Sequence, residues 1–341
     1  RAAPLGVPLR GKPEMIDRGF NRAGLDHVIL VRVATAAVVT HLLGGGRRQI
    51  VDAVSNAWAD GGSLRVYRHA PNTGSRKSWA AGDATARGVW HAMMALRGEM
   101  GYPTALSAKT WGFSDALLDG KAIVLARPLK SYVIENILFK ISFPAEFHAQ
   151  TAVECAFKLH AKVRNRLDQI EKITLTTQES AVRIIDKTGP LKNPADRDHC
   201  LQYMVAVGLI HGELTSDHYE DKAARDPRID RLRKKMAVVE DRRFSRDYLN
   251  PKKRSIANSI QIRFKDGSTT EKVTVKYPLG HPQRWRESTE RRLFKFWHAL
   301  NSRFDKERSR KILQLCADPR HWGRLDAMPV HKFVDLFVDG K

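Results

Sequence analysis

The sixteen residues from Arg68 to Asp83 hold Arg68, His69, Arg76 and Lys77 among the turn-forming pairs Pro71-Asn72 and Thr73-Gly74. Proline presets one backbone angle, and asparagine and glycine accept tight turns, so these cations sit on a shaped loop rather than along a solvated face. Asp83, followed by Ala84, Val89, Met93 and Leu96, reads as the cap and apolar stripe of a helix. A cationic loop beside a helix N-terminus suits a small polyanion, because guanidinium and ammonium groups add to free backbone N–H donors. The alternative is a surface loop with ordinary charges.

A second cluster runs from Lys140 to His148 and places a lysine, Glu146 and a histidine around Pro144. It reads either as acid–base equipment or as a strand end with a polar helix cap. His27 follows Asp26 at the start of an apolar segment, where a cap or a proton carrier would both fit. Tyr203 lies on an apolar helix, whose usual tyrosine is a core residue with one hydrogen bond. Together these groups suit acid–base work on a small polycarboxylate. Taking a proton from carbon next to a carboxylate builds a dianion that lysine or arginine would stabilise in a dry site. Expelling a neighbouring hydroxyl needs a proton donor, a role open to histidine or tyrosine. No P-loop, no GxGxxG and no metal-ligand spacing accompanies them, so neither a cofactor nor a metal is expected.

The elements that must position these residues are helical at first. Residues 1–24 read as irregular, and 25–43 and 47–59 as helices, the first closed by Gly44-Gly45-Gly46. A helix from Asp83 to about 98 follows, with a weaker one over 104–118. Residues 132–141 read as a strand, 150–163 as a helix and 170–177 as a half-buried strand. A helix over 198–210 precedes strands at 259–264 and 271–277, joined at Asp266-Gly267. Helix returns from Glu287, and a last one follows Pro329. The order implies an α+β protein of two domains: a mainly helical one from 1–135 completed by 286–341, and a smaller inserted α+β lid domain over 136–285.

With 341 residues, 42% hydrophobic and 28% charged, the composition is that of a globular protein. Cys155, Cys200 and Cys316 are scattered, which speaks against a disulfide framework, a Cys-rich zinc site or a four-Cys cluster. The net charge of +22 suggests nucleic acid, but the excess spreads as +8, +9 and +5 over 1–135, 136–285 and 286–341. A nucleic-acid arm would concentrate it, so a non-catalytic polyanion binder is the weaker reading. Asp26, His27, Arg32 and His41 interrupt the apolar run at 25–43, which argues for a buried helix and against a membrane partner. The chain opens on Arg1 with no leader pattern, as expected of a sequence continued upstream.

Three blocks carry a resemblance: Arg68-His-Ala-Pro-Asn-Thr-Gly-Ser-Arg-Lys-Ser-Trp-Ala-Ala-Gly-Asp-Ala-Thr85, Glu135-Asn-Ile-Leu-Phe-Lys-Ile-Ser-Phe-Pro-Ala-Glu-Phe-His-Ala-Gln-Thr-Ala152 and Gly189-Pro-Leu-Lys-Asn-Pro-Ala-Asp-Arg-Asp-His-Cys-Leu-Gln-Tyr-Met204. They are similar to the MmgE/PrpD family, over about 20–338, and to its dehydratase branch in particular. The resemblance implies an iron–sulfur-independent dehydration of 2-methylcitrate to 2-methyl-cis-aconitate in propionate catabolism, with citrate as a further substrate of some members. It also implies a homodimer in the bacterial cytoplasm or the mitochondrial matrix. A cis-aconitate decarboxylase or isomerase of the same family is the alternative enzyme.

By position, the resemblance makes His27, Lys77, Lys140 and Tyr203 catalytic, with Arg68, His69, Arg76 and His148 binding substrate. Lys77 and Lys140 would hold carboxylates, and His27 and Tyr203 would handle protons. Decarboxylase-like members place a histidine two residues after the proline, where this chain has Glu146, and His148 stands nearby as its replacement or as a structural residue. Family members also carry an Asp…His-Pro helical region ahead of the position of Phe20. The only His-Pro pair here is His281-Pro282. The resemblance therefore leads to the expectation of a truncated dehydratase with little or no turnover by itself.

Overall fold

A computed structural model describes residues 6–9, 12–15, 20, 23–69, 71–123 and 138–338. Contacts divide the chain into two units, Arg1–Ile137 with Gly189–Arg197, and Leu138–Thr188 with Asp198–Lys341. The architecture is α+β.

In the first unit, β1 (Gly6–Leu9) and β2 (Lys12–Met15) pair antiparallel with Gly6 opposite Met15, a hairpin within a stretch read as irregular. Three helices build the body: α1 (Val28–Leu42), α2 (Arg47–Ala59) and α3 (Arg76–Leu96). α1 is rich in Val and Thr, which are indifferent helix formers, so its packing against α2 and α3 must hold it. Ala36, Ala53, Ala57 and Ala95 form the contact between the three and let their backbones approach. Phe20, Leu25, Ile29, Trp58 and Phe113 fill a second cluster, with Trp58 and Phe113 edge to face at 4.9 Å. The glycine stop after α1 is real: Gly44 takes φ +88°, and Gly44 and Gly45 donate to the carbonyls of His41 and Thr40.

Gly88 marks the closest approach of α3 to α1. A Cβ there would lie 2.7 Å from the Arg32 carbonyl oxygen and 2.7 Å from Thr35 Cβ. Gly88→Val is therefore expected to push the helices apart and cost about 2 kcal/mol, read from the urea midpoint at unchanged m-value.

Two expectations for this unit are corrected. The helix that Asp83 was to open begins seven residues earlier, at Arg76. Ala80 and Ala84 pack with Val28 and Tyr67, and this burial carries the helix through Gly82. Asp83 lies inside the helix, 3.3 Å from Arg87 Nε and 3.5 Å from Arg76 Nη2. The weak helix at 104–118 reduces to α4 (Phe113–Leu117), because Thr110 at φ +68° and the preceding turns break it.

The second unit is a four-stranded sheet in the order β4-β3-β5-β6, with helices packed on it. β3 (Ile170–Thr177) runs parallel to β4 (Met236–Glu240) and antiparallel to β5 (Asn258–Phe264), which pairs antiparallel with β6 (Val273–Val275). Gly267 at φ +82° makes the turn after β5, as the Asp-Gly pair predicts, although β6 is shorter than 271–277. α5 (Gln150–Val163) lies against β5 and β6 and supports α7 (Leu201–His211). α6 (Glu179–Ile185) follows β3, and α8 (Pro227–Arg233) packs on α7. Every residue of α7 from Leu201 to Ile210 is buried, and Gly212 at φ +72° ends it. α9 (Arg242–Leu249) has no buried residue.

α10 (Thr289–Asn301), α11 (Lys306–Ala317) and α12 (Val330–Asp335) complete the chain. Residues 286–341, which the sequence division joined to the helical domain, group by contact with the second unit. The strand expected at 132–141 lies partly outside the described residues, and Leu138 to Ile141 are not in a strand. No helix among the described residues is long and apolar enough to cross a membrane.

Candidate active site

Asp26 anchors the cationic face of the first unit. Its side chain is fully buried, and Oδ1 accepts from Val28 N at 3.1 Å, so Asp26, rather than His27, caps α1. Its other oxygen takes Arg68 Nε at 2.5 Å. Burial pushes this carboxyl up. The Arg68 hydrogen bond, the neighbouring His27 and the Val28 N–H outweigh it and hold the group below the ordinary aspartate value. Arg68 also lies over the Tyr67 ring at 5.1 Å, where Arg76 joins it at 5.4 Å. His27, about half exposed, has Nδ1 3.1 Å from Arg65 Nη1 and 3.4 Å from Asp26 Oδ1.

The loop after Arg68 turns through Asn72 N→His69 O at 2.8 Å and enters α3 through Lys77 N→Gly74 O at 3.1 Å. Arg76 and Lys77 thus occupy the first turn of a 21-residue helix. Cations there oppose the helix dipole, and a bound anion would relieve the conflict. Arg76 is stacked on Trp79 at 4.3 Å, which fixes its direction. Thr73 is buried, and its carbonyl accepts Asn193 Nδ2 at 2.8 Å. The loop from Arg68 and the segment from Gly189, two of the blocks that carry the resemblance, therefore meet within one unit.

In the second unit, Glu146, His148 and Tyr248 form a chain. Glu146 Oε2 accepts His148 N at 2.7 Å, and Oε1 lies 2.8 Å from His148 Nδ1. His148 Nε2 is 3.1 Å from Tyr248 Oη, at the C-terminal end of α9. Burial would raise the Glu146 carboxyl, but the charge and hydrogen bonds of His148 and the charge of His199 hold it at about 2. His199 Nδ1 in turn lies 2.6 Å from Asp198 Oδ1. Tyr203 is buried at 2% exposure, and its hydroxyl donates to His218 O at 2.6 Å. Tyr219, 6.2 Å from the Tyr203 ring, donates to Pro144 O at 2.6 Å. Lys140 is exposed, and its carbonyl accepts Lys295 Nζ.

The expected site residues therefore fall in two groups. His27, Arg68, His69, Arg76 and Lys77 belong to the first unit, and Lys140, His148 and Tyr203 to the second. A cleft of about 440 Å³ beside α3, lined by Asp60, Asp83, Arg87, Trp90 and His91, contains none of them. Sequence reasoning passed over Asp26, Arg65 and Tyr248 as site residues. Only Asp26 carried a local signal, its adjacency to His27.

The chain that folds into a helical unit with a cationic helix entry and an α+β unit holding a carboxylate–histidine–tyrosine chain matches one family along most of its length. Residues 15–126 match the MmgE/PrpD N-terminal domain model and 143–319 the MmgE/PrpD C-terminal domain model, and the chain belongs to this family. Its relatives include the 2-methylcitrate dehydratase of Salmonella typhimurium, 53% identical over 95% of this chain and 67% of the relative. The 2-methylcitrate dehydratase of Cupriavidus necator is 53% identical with the same coverage. The mitochondrial 2-methylcitrate dehydratase of Yarrowia lipolytica is 54% identical over 95% of this chain and 62% of its own length. The chain thus spans about two thirds of the length of the relatives it matches.

Proposed function

We propose that this chain binds 2-methylcitrate and takes part in its dehydration to 2-methyl-cis-aconitate, as a hydro-lyase working by acid–base elimination. The observation that carries the reading is 53% identity to a 2-methylcitrate dehydratase, sustained over 95% of the chain. The cationic entry to α3 supplies the matching chemistry, since Arg76 and Lys77 stand where a carboxylate would meet positive side-chain charge at the positive end of the helix dipole. In this reading Lys77 and Lys140 hold substrate carboxylates, Arg68, His69 and Arg76 shape the anion site, and His27 and Tyr203 handle protons. In this reading the working form is a homodimer, which light scattering would test as twice the monomer mass, and the setting is the bacterial cytoplasm or the mitochondrial matrix.

The test is saturation binding of the separate 2-methylcitrate stereoisomers with chelator present, with the ultraviolet absorbance of the unsaturated product followed in the same samples. Stereoselective binding supports the reading, with full product formation expected of a chain extended through the N-terminal helical region that the family carries. Indifference between isomers, or binding that collapses with salt as a backbone polyanion contact would, overturns it. Lys77→Ala is expected to weaken binding at least tenfold and to lower any kcat/KM about 100-fold, while the melting temperature of the free protein stays within a few degrees. Unchanged affinity would remove Lys77 from the site.

A further inference from the structure

The turn between β6 and α10 is closed by a histidine that does so only while it is neutral. His281 is 3% exposed, and its Nδ1 accepts the Gln283 N–H at 3.1 Å, which caps the short helical turn Pro282–Arg284. An N–H donates only to a bare ring nitrogen, so the single ring proton belongs to the buried Nε2. The Tyr277 ring lies 4.6 Å from the imidazole. The charged groups around it are Lys253 and Arg254, ahead of β5, and Arg284, which Glu154 of α5 neutralises at 2.8 Å and Glu287 at 2.9 Å. Burial pushes the histidine down and the Arg254 charge adds to it. Main-chain contacts from Lys253 and Arg254 oppose them, and the ring stays below the ordinary histidine value.

The residue before this cap rests on the segment that carries Lys140. Gly280, at φ +95°, comes so close that a Cβ would lie 2.4 Å from the Phe139 carbonyl oxygen and 2.9 Å from Ile141 Cδ1. Its own carbonyl accepts Phe139 N at 3.5 Å. Phe139 packs on Trp285 at 5.6 Å, just past the capped turn, and Arg292 covers Trp285 at 3.7 Å. Lys295 Nζ donates to the Lys140 carbonyl. Leu138 to Ile141 lie outside any strand, so the grip of residues 280–295 holds the Lys140 backbone in place of a ladder.

We propose that neutral His281 is a latch that sets the position of Lys140, and that acid opens the latch and weakens the hold on substrate. This deepens the dehydratase reading and rests on it, with Lys140 binding a carboxylate and His281 a positioning residue that never meets substrate. Protonation puts an N–H at Nδ1, which ends the Gln283 bond and leaves a buried cation beside Arg254. The turn from Gly280 to Arg284 then gives way, and Phe139 to Ile141 lose the surface they rest on. The sign follows from the lowered folded value: the latch is closed above the ordinary histidine value and opens as pH falls through the lowered one.

The test compares the full 341-residue wild type with His281→Asn, whose side-chain oxygen accepts the Gln283 N–H but does not titrate. Amide resonances of Phe139, Lys140 and Ile141 should move in the wild type as the nitrogen-15 signals of His281 report its protonation, and should stay in place in His281→Asn. The ratio of the two proteins' affinities for 2-methylcitrate cancels the titration of the substrate and of the other histidines. It should be near one while His281 is neutral and turn about fivefold or more against the wild type once the ring is protonated. Gly280→Ala, which drives a methyl into the Phe139 carbonyl, should shift the same three resonances at neutral pH. Resonances of 139–141 that ignore the His281 titration, that move equally in His281→Asn, or that are unmoved in Gly280→Ala overturn the latch. Moving resonances with a flat affinity ratio overturn its hold on substrate. A wild type whose spectra show the latch but which binds no 2-methylcitrate at any pH overturns the dehydratase reading instead, and with it the substrate named here.

Discussion

An Arg68→Ala chain is expected to unfold with about 3 kcal/mol less free energy at pH 7, because it strands a buried charge. Asp26 has no exposed surface, and its Oδ2 is held by Arg68 at 2.5 Å. Without the guanidinium, the Val28 N–H and the half-exposed His27 must compensate the carboxylate alone. The cost depends on pH in a defined sense. The folded pKa of Asp26 lies below its ordinary value, so pairing stabilises the fold above the unfolded pKa and is lost as pH falls through the folded one. Urea unfolding of wild type and variant should therefore differ most near neutrality and converge only as pH falls below the ordinary aspartate value and through the lowered folded one. The double variant Asp26→Asn/Arg68→Ala should recover part of the loss, since it removes the orphaned charge. Equal midpoints for wild type and Arg68→Ala at pH 7 would show that the pair holds nothing. The variant should also lose substrate affinity, because Arg68 opens the loop that leads Arg76 and Lys77 into α3.

Acid should unfold the second unit through Glu146. A carboxyl that titrates at about 2 in the fold and at 4.5 when free contributes on the order of 2–3 kcal/mol at neutral pH. The sign follows from the depressed folded value: the contribution is complete above about 4.5 and disappears as pH falls through about 2. The cause is His148, whose charge and Nδ1 face the carboxylate while its backbone N–H donates to it, with the charge of His199; together these exceed the cost of burial. Glu146→Gln keeps an acceptor for the His148 N–H but has no charge to protect. Its stability between pH 6 and pH 2 should therefore fall by that much less than wild type, measured by chemical denaturation across the range. Parallel pH curves for the two proteins would show that the pair does not couple to folding.

Much of the fold was legible because its signals are local. α2 lies where periodicity and the preceding glycines predict it, and α5 and β3 carry their apolar spacing openly. The start of α3 was misread because Asp83 has the chemistry of a cap, whereas the helix is held from Arg76 by the packing of Ala80 and Ala84 against Val28 and Tyr67. β4 went unseen, since its pairing with β3 is parallel and joins Ile173 to Met236, and no turn signal announces such a partner. The site divides in the same way. The Glu146–His148 spacing of two residues stands out in sequence, as does the cationic loop. Asp26 and Arg68 are 42 residues apart, and His148 and Tyr248 are 100 apart. Only the folded backbone makes those pairs.

The burial of α7 on every side also sets a clock. Its amides are shielded by α5 and α8 and should exchange with solvent only when the whole unit opens, whereas those of α9, which has no fully buried residue, should exchange by local fraying. Tyr203 therefore keeps the rhythm of global unfolding, far slower than any catalytic cycle, and serves as a fixed datum in its unit.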